Sequence, residues 1–313
     1  MNILYVDSGG TVSDGYMYQY YGDLFREIKE LASVYLYEGP VENLTHLVKS
    51  SEIEFEAIIF GLGFFANTAK TSFSKIPDLD TLAAKKVCML HKPQTLLEEK
   101  LNFCKLNNVD ILLDYFDNSK SNVAKKNIKS WFTAKPEIYK PRDKVKVQYD
   151  IGFSGALHGK GKITGPTRDL RPRIGEFLEK NKKYKTFWNS GNTLKYRINS
   201  VEEYAKKINE CKIWLATTGP VEDISPRYFE VALSKTLLFC NDMPKQNGNI
   251  FLDGQTCVTF NNDLSDFEEK LDFYLNNDAA RNRIIKNAYD LVSNKYTWKH
   301  LAENLLFHIK QKE

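Results

Sequence analysis

The chain has 313 residues, 42% hydrophobic and 27% charged, with a formal net charge of +4. That balance excludes disorder as the main state and, at ~150 residues per domain, gives about two domains. The longest apolar runs, at 57–63 and 235–240, fall far short of the ~20 residues that span a bilayer. Residues 1–6 carry neither a basic n-region nor a long apolar h-region, so the expected location is cytoplasmic.

The five cysteines, Cys88, Cys104, Cys211, Cys240 and Cys257, form no C-x-x-C pair and no zinc-spaced cluster, and read as free thiols. Charge is unevenly placed: residues 1–145 hold 18 Lys+Arg against 19 Asp+Glu, whereas residues 146–197 hold 12 against 4. This local surplus suggests an anionic ligand for that region, or else a solvated basic face; it does not read as a nucleic-acid coat.

In chain order, a strand over 2–6 leads through the loop Asp7-Ser8-Gly9-Gly10-Thr11 into a helix through 18–31. Further strands are expected at 33–36, 57–60, 87–90 and 111–113, with helices at 41–49 and 95–106 between them. Near-continuous apolar strands alternating with helices indicate a parallel sheet covered on both faces. Two prolines in the polar stretch 131–150 mark a linker. A second series follows, with strands at 149–153, 186–188, 213–216, 236–239 and 258–260, and helices at 173–181, 201–208 and 227–233. Amphipathic helices at 264–275 and 279–293 close it, and a last helix starts near Thr297. In that last helix Trp298, Leu301, Leu305 and His308 recur on one face, which must be covered.

The sharpest chemical signal is Glu222-Asp223-Ile224-Ser225-Pro226-Arg227-Tyr228-Phe229-Glu230. Ser225 suits a helix N-cap and Pro226 the first helical position. The helix N-terminus would then offer free amides and partial positive charge to a phosphate. Glu230 can accept from two vicinal hydroxyls, such as those of a ribose. Arg173 and Arg227 are candidate diphosphate ligands, Arg227 alternatively pairing with Glu222 or Glu230. Gly155, at a strand end, allows close approach of backbone to a ligand.

The segment from Arg227 through Asp242 resembles the R-x-F-E helix, small-residue stretch and apolar strand of group 1 glycosyltransferases with the GT-B fold, in the branch related to spore-maturation glycosyltransferases. Tyr149-Asp150-Ile151-Gly152-Phe153-Ser154-Gly155 is similar to that family's opening strand of the second domain, and Arg173-Ile174-Gly175-Glu176-Phe177-Leu178 to its first helix. The likeness covers about 131–305. It departs at the Gly-, Lys- and Arg-rich insert 158–172, either a flap over the donor or a surface loop, and at Lys235, where the family most often has glycine.

The resemblance implies an α/β fold of two Rossmann-like parallel-sheet domains facing a cleft. It divides the chain into an acceptor domain at 1–140, a donor domain at 146–296, and a C-terminal helix at 297–313 that packs back on the first. The implied activity is transfer of a sugar from a nucleotide-sugar donor to a glycan or other acceptor hydroxyl. Glu230, Arg227, Glu222, Arg173, Gly155 and Ser225 would bind the donor, with no catalytic metal and no cofactor beyond the nucleotide-sugar co-substrate. The alternative is a non-catalytic nucleotide-sugar-binding subunit of the same fold. For the acceptor side, Asp14 and His91 stand at expected strand ends and are candidates for catalysis or for loop hydrogen bonding. Asp78-Leu79-Asp80 reads as a helix cap. Gly61-Leu62-Gly63-Phe64-Phe65-Ala66 approximates a dinucleotide fingerprint but does not follow the first strand, which argues against an oxidoreductase.

Overall fold

Strands buried on both faces need helices above and below, and the chain supplies them twice. The computed structural model describes residues 1–7, 15–66 (15–20 as backbone), 73–92, 95–115, 121–157, 167–190, 198, 200–219, 222–243 and 250–311. It divides into one unit of Met1–Trp131 with Trp298–Glu313 and a second of Phe132–Thr297.

The first unit runs β1 (Asn2–Val6), α1 (Gly15–Leu31), β2 (Ser33–Tyr37), α2 (Leu44–Ser50), β3 (Ala57–Phe60), α3 (Leu62–Ala66), β4 (Lys85–Leu90), α4 (Leu97–Leu106), β5 (Ile111–Tyr115) and β6 (Lys126–Ser130). All strands are parallel, in the order β2-β1-β3-β4-β5-β6. Every residue of β3 and β5 is buried. Phe60, Phe64, Phe65 and Phe103 meet below the sheet with ring centroids 5.0 to 5.7 Å apart, each buried ring contributing roughly 1.5–3 kcal/mol by removal from water. Asp78 does not cap a helix: its backbone is left-handed (φ 55°) and its side chain makes no cap bond to the short 3-10 turn Leu79–Thr81.

The second unit runs β7 (Tyr149–Gly155), α5 (Leu170–Lys180), β8 (Thr186–Ser190), α6 (Val201–Asn209), β9 (Cys211–Ala216), α7 (Pro226–Leu233), β10 (Leu237–Asn241), β11 (Val258–Phe260), α8 (Phe267–Asn276) and α9 (Asp278–Lys295). Its parallel sheet has the order β11-β10-β9-β7-β8. A Cβ on Gly152 would stand 2.5 Å from Cys211 Sγ and 2.6 Å from the Trp214 ring, so the bare backbone makes room for the largest fully buried side chain of this unit.

The proline-bearing stretch beginning at Phe132 belongs to the second unit and is laced along it. Thr133 Oγ1 donates to Tyr296 O at 2.6 Å, the Arg142 amide to Asn209 Oδ1 at 3.0 Å, and Asn209 Nδ2 to Lys140 O at 3.2 Å. After Thr297 the chain returns to the first unit as α10 (Trp298–Lys310), which packs against α1. Trp298, Leu301, Ala302, Leu305, Leu306 and Ile309 form its buried stripe, while His308 stays half-buried. Among the described residues no helix is long and apolar enough to cross a membrane.

Candidate functional site

In a doubly wound sheet, ligands bind beyond the carboxyl ends of the strands where the winding reverses. In the second unit the first strand, β7, has β8 on one side and β9 on the other, so the reversal lies between β7 and β9. The chain leaves these strands at Gly155 and Ala216, and the following residues build the site.

Arg171, in the first turn of α5, ties the two strand ends together. Its Nε donates to Thr217 Oγ1 at 2.8 Å and its Nη1 to Ala156 O at 2.6 Å. The guanidinium carbon lies 5.6 Å from the centroid of the Phe153 ring, and that of Arg227 lies 5.7 Å from the same centroid. Two cations thus share one aromatic ring. Burial and the Arg227 charge together push the Arg171 pKa down to about 9. Among the described residues Arg171 has no carboxylate in ion-pair contact. Two crowded guanidinium groups, with Glu230 near Arg227 but no carboxylate paired to Arg171 among the described residues, make a place for an anion.

Arg227 is held by its neighbours. Its Nε donates to the Tyr204 hydroxyl at 3.1 Å, and Tyr204 and Glu230 raise its pKa against the opposing effect of burial. A Cβ on Gly155 would stand 3.1 Å from Arg227 Nη2, so the glycine leaves space that the guanidinium uses. Glu230 lies one turn further along α7, within electrostatic reach of Arg227, Tyr139 and Tyr204. Burial raises the Glu230 pKa, with Arg227 and the two phenols pulling the other way.

Ser225 takes the N-cap position of α7 in extended backbone, and Pro226 the first helical position. The expected cap is absent, however: the Ser225 side chain makes no bond to the helix, and its buried Oγ has no hydrogen-bond partner among the described residues. The Tyr228 hydroxyl, in the same first turn, is equally orphaned inside a residue with no exposure. Burial raises its pKa, and the charges of Arg171 and Arg227 reach it. Glu222 lies in the preceding turn in left-handed backbone (φ 55°), its amide donating to Gly219 O at 3.1 Å.

The structure therefore brings together Gly155, Arg227, Glu230 and Ser225, but not Arg173. The Arg173 guanidinium donates to Asn262 O at 2.8 Å and pairs with Asp169 at 3.4 Å. Arg171, two residues earlier, stands where Arg173 was expected. The reason is local: α5 starts at Leu170, with Pro172 inside its first turn, where a missing N–H does no harm. Tyr204 carried no sequence signal, since its contact with Arg227 links positions far apart in the chain.

In the first unit His91 follows β4, buried, its ring edge-to-face with Tyr21 and Tyr115 at 5.3 and 5.8 Å. Burial, with the charges of Lys92 and Lys100, lowers its pKa to about 3. The Lys100 Nζ donates to the carbonyls of His91 and Lys92, both at 2.9 Å. The imidazole is therefore neutral and a weak proton acceptor. Asp14 and the insert 158–166 lie outside the described residues.

Residues 154–306, just under half the chain, match a family model described as Glycosyl transferase-like. The fold is similar to that of HepE from Anabaena solved in complex with UDP, at a TM-score of 0.62 and 11% identity over 99% of each chain. A complex of HepE with UDP-glucose aligns at a TM-score of 0.57 and 12% identity, covering 98% of this chain and 100% of that one. TarM, known from S. aureus, aligns at a TM-score of 0.54 and 14% identity, covering 87% of this chain. The chain spans 57% of the length of TarM. A comparison with curated protein sequences gives no match. The two parallel-sheet α/β units are those of the GT-B fold.

Proposed function

We propose that the chain is a glycosyltransferase of the branch related to spore-maturation glycosyltransferases. In this reading the second unit binds a nucleotide-sugar and the first supplies the residues that hold an acceptor hydroxyl, as on a glycan. The observation that carries it is the pair Arg171 and Arg227 beside the N-terminus of α7, at the reversal point of the sheet. Cleavage of the sugar–oxygen bond leaves negative charge on the departing diphosphate, and two fixed guanidinium groups with helix amides oppose that charge without reorganisation. The orphaned Ser225 Oγ gains a phosphate oxygen as its partner. Glu230 accepts from ribose hydroxyls, and Gly155 keeps the approach to Arg227 open. Because HepE is known with UDP-glucose, that is the first donor to test.

With cationic side chains taking the leaving-group charge, the reaction is assigned no divalent metal, and activity is expected to persist in EDTA. His91 and Asp14 are the acceptor-side candidates, His91 as a neutral hydrogen-bonding imidazole. Its suppressed basicity is the one observation favouring the alternative, a nucleotide-sugar-binding subunit without turnover. Both are decided by titrating a nucleotide-sugar panel and assaying donor consumption with and without glycan acceptors. Binding with turnover supports the enzyme, binding without turnover the subunit, and no stabilisation by any nucleotide-sugar refutes both.

A further inference from the structure

We propose that Asn241 is a positioning residue for the anion site, the buried centre of a hydrogen-bonded ring that starts and ends on the first turn of α5 and holds the Arg171 guanidinium in place. The inference rests on the donor-binding reading above and assigns a residue outside the segment 222–230 that carries that reading.

Buried backbone groups beyond the end of a strand ladder still need partners. β9 and β10 pair as far as Ala216 and Cys240. The next residue of β10 is Asn241, wholly buried, and its side chain takes over from the ladder. Its Oδ1 accepts from the Thr218 amide at 3.0 Å, and because a backbone N–H can only donate, the carboxamide has one orientation. Its Nδ2 then donates to Thr218 Oγ1 at 3.1 Å, to Asn262 Oδ1 at 2.9 Å and to Asp242 O at 2.9 Å. Asn262 follows β11, so one amide joins the carboxyl ends of three strands.

Both ends of this cluster lead to α5. On one side Arg171 Nε donates to Thr217 Oγ1 at 2.8 Å, and on the other the Arg173 guanidinium donates to Asn262 O at 2.8 Å. Arg173, expected from its sequence on the diphosphate, is thus the second anchor of the ring. The Thr218 amide belongs to the peptide unit that leaves Thr217, so bonding it to Asn241 fixes the backbone that carries the Thr217 hydroxyl. Thr167 Oγ1 pins the next residue by donating to Gly219 O at 2.6 Å. With Nε on Thr217 and Nη1 on Ala156 O, Arg171 is left with Nη2, beside the bare backbone of Gly219, for a phosphate. A buried polar ring with its members satisfied is rigid, and a guanidinium held by it meets an anion without reorganisation.

The test uses the full chain and calorimetry with UDP, GDP, ADP and dTDP, each against its own nucleoside. Asn241→Leu removes the amide with little change of size and none of charge. It should weaken the diphosphate that binds by roughly three- to tenfold, because a misaligned guanidinium keeps its charge but loses its directed hydrogen bonds. The nucleoside should bind nearly as before. On top of Arg171→Gln the same substitution should add less than about twofold, since the group it positions is gone, whereas independent losses multiply. A general loosening of the fold would instead weaken nucleotide and nucleoside alike. Thr218→Val deletes one acceptor of the ring, leaves the Thr218 amide bonded, and should give the same pattern with a smaller loss; should Asn241→Leu not fold, it decides alone. If Arg171→Gln weakens the diphosphate while Asn241→Leu and Thr218→Val bind it as the wild type does, or if their losses multiply with that of Arg171→Gln, Asn241 positions nothing and the donor reading stands. If Arg171→Gln leaves diphosphate affinity unchanged, or none of the four binds the wild type, the donor reading fails and the role of Asn241 fails with it.

Discussion

Beyond the end of β1 the first unit places Asp7, and at the end of β7 the second unit places Gly155 with Arg227 over it. Both sheets reverse their winding at these strands, since β1 lies between β2 and β3 as β7 lies between β8 and β9. Each reversal has a crowded glycine. A Cβ on Gly61, just after β3, would fall onto the Asp7 carboxyl and the Tyr5 ring at 2.4 Å, whereas a Cβ on Gly155 would meet the tip of Arg227 at 3.1 Å and the edge of the Phe153 ring at 3.2 Å. The same topology thus offers two comparable strand-end positions that differ in the side chains around them. In the proposed reading the guanidinium groups of the second unit select an anion, whereas the first unit has a buried carboxyl at the corresponding place.

The largest effect should come from removing the cations. Arg171→Gln or Arg227→Gln should each weaken UDP by about 10- to 150-fold, the equivalent of ~1.5–3 kcal/mol for a charge-assisted bond. Uridine should suffer less, particularly for Arg171, which has no contact with Glu230 among its bonds. Equal losses for UDP and uridine in calorimetry would give both arginines a packing role and dissolve the contrast between the two reversal points.

The glycines give the next effect and separate the units. Gly61→Ala drives a methyl group into a rigid ring and a buried carboxyl, and overpacking of this kind costs roughly 1–3 kcal/mol. Thermal unfolding should begin several degrees lower while UDP affinity stays at the wild-type value. Gly155→Ala meets the flexible end of Arg227 at 3.1 Å and the Phe153 ring edge at 3.2 Å, a far milder crowding than the 2.4 Å contacts at Gly61, so melting should fall less than for Gly61→Ala while UDP weakens a few-fold. A reversed pattern, with Gly155→Ala destabilising and Gly61→Ala weakening UDP, would assign the anion site to the wrong sheet.

How far the sequence revealed all this depends on the range of the contacts involved. The apolar runs at 57–60 and 237–239 announce strands because burial on both faces demands them, and β3 and β10 are fully buried. The strand β6 escapes notice because Lys126-Asn127-Ile128-Lys129-Ser130 is an edge with only Ile128 and Ser130 buried. Arg227 and Glu230 were legible because one helix turn sets their relation. Arg171 was not, since Pro172 marks a helix start as readily as a loop end. The contacts of Tyr204 with Arg227 and with the Tyr139 ring are tertiary and leave no periodic trace. Ser225 shows the opposite failure, a residue correctly placed at an N-cap whose hydroxyl does not cap.

His91 sharpens the comparison through acid stability. Its pKa is lowered to about 3 in the folded chain, against ~6.5 for a free imidazole. A depressed folded pKa means that the stability is complete above the unfolded value and is lost as pH falls from about 6.5 toward 3. By pH 5 the loss is about 2 kcal/mol. His91→Gln should therefore flatten the acid side of the unfolding profile between pH 6.5 and 5, and UDP affinity at pH 7.5 should not move. An unaltered acid profile would mean that the imidazole is protonated in place, and would restore it as a group able to exchange protons with an acceptor.

The smallest effect, and the most specific, concerns Glu230. Its folded pKa is raised, first by burial. A raised folded value means that this carboxyl favours the folded state below its unfolded pKa, and that the contribution fades as pH rises through the folded pKa. Donor hydroxyls demand the opposite state, because only the carboxylate offers acceptors at both oxygens. Acidification from neutrality toward the ordinary glutamate range should thus improve the Glu230 contribution to stability of the ligand-free protein while weakening uridine. Stability and binding should move in opposite directions over the same pH window. Glu230→Gln removes the titrating group, so both trends should disappear together, leaving a lower and pH-independent uridine affinity. The measurement is paired: chemical denaturation without ligand and calorimetry with uridine, for both proteins, from pH 7.5 to 4.5. If wild-type uridine binding is flat across that window, Glu230 does not hold the ribose. The polar end of the second unit would then contain a phosphate site alone, set by Arg171, Arg227 and the first turn of α7.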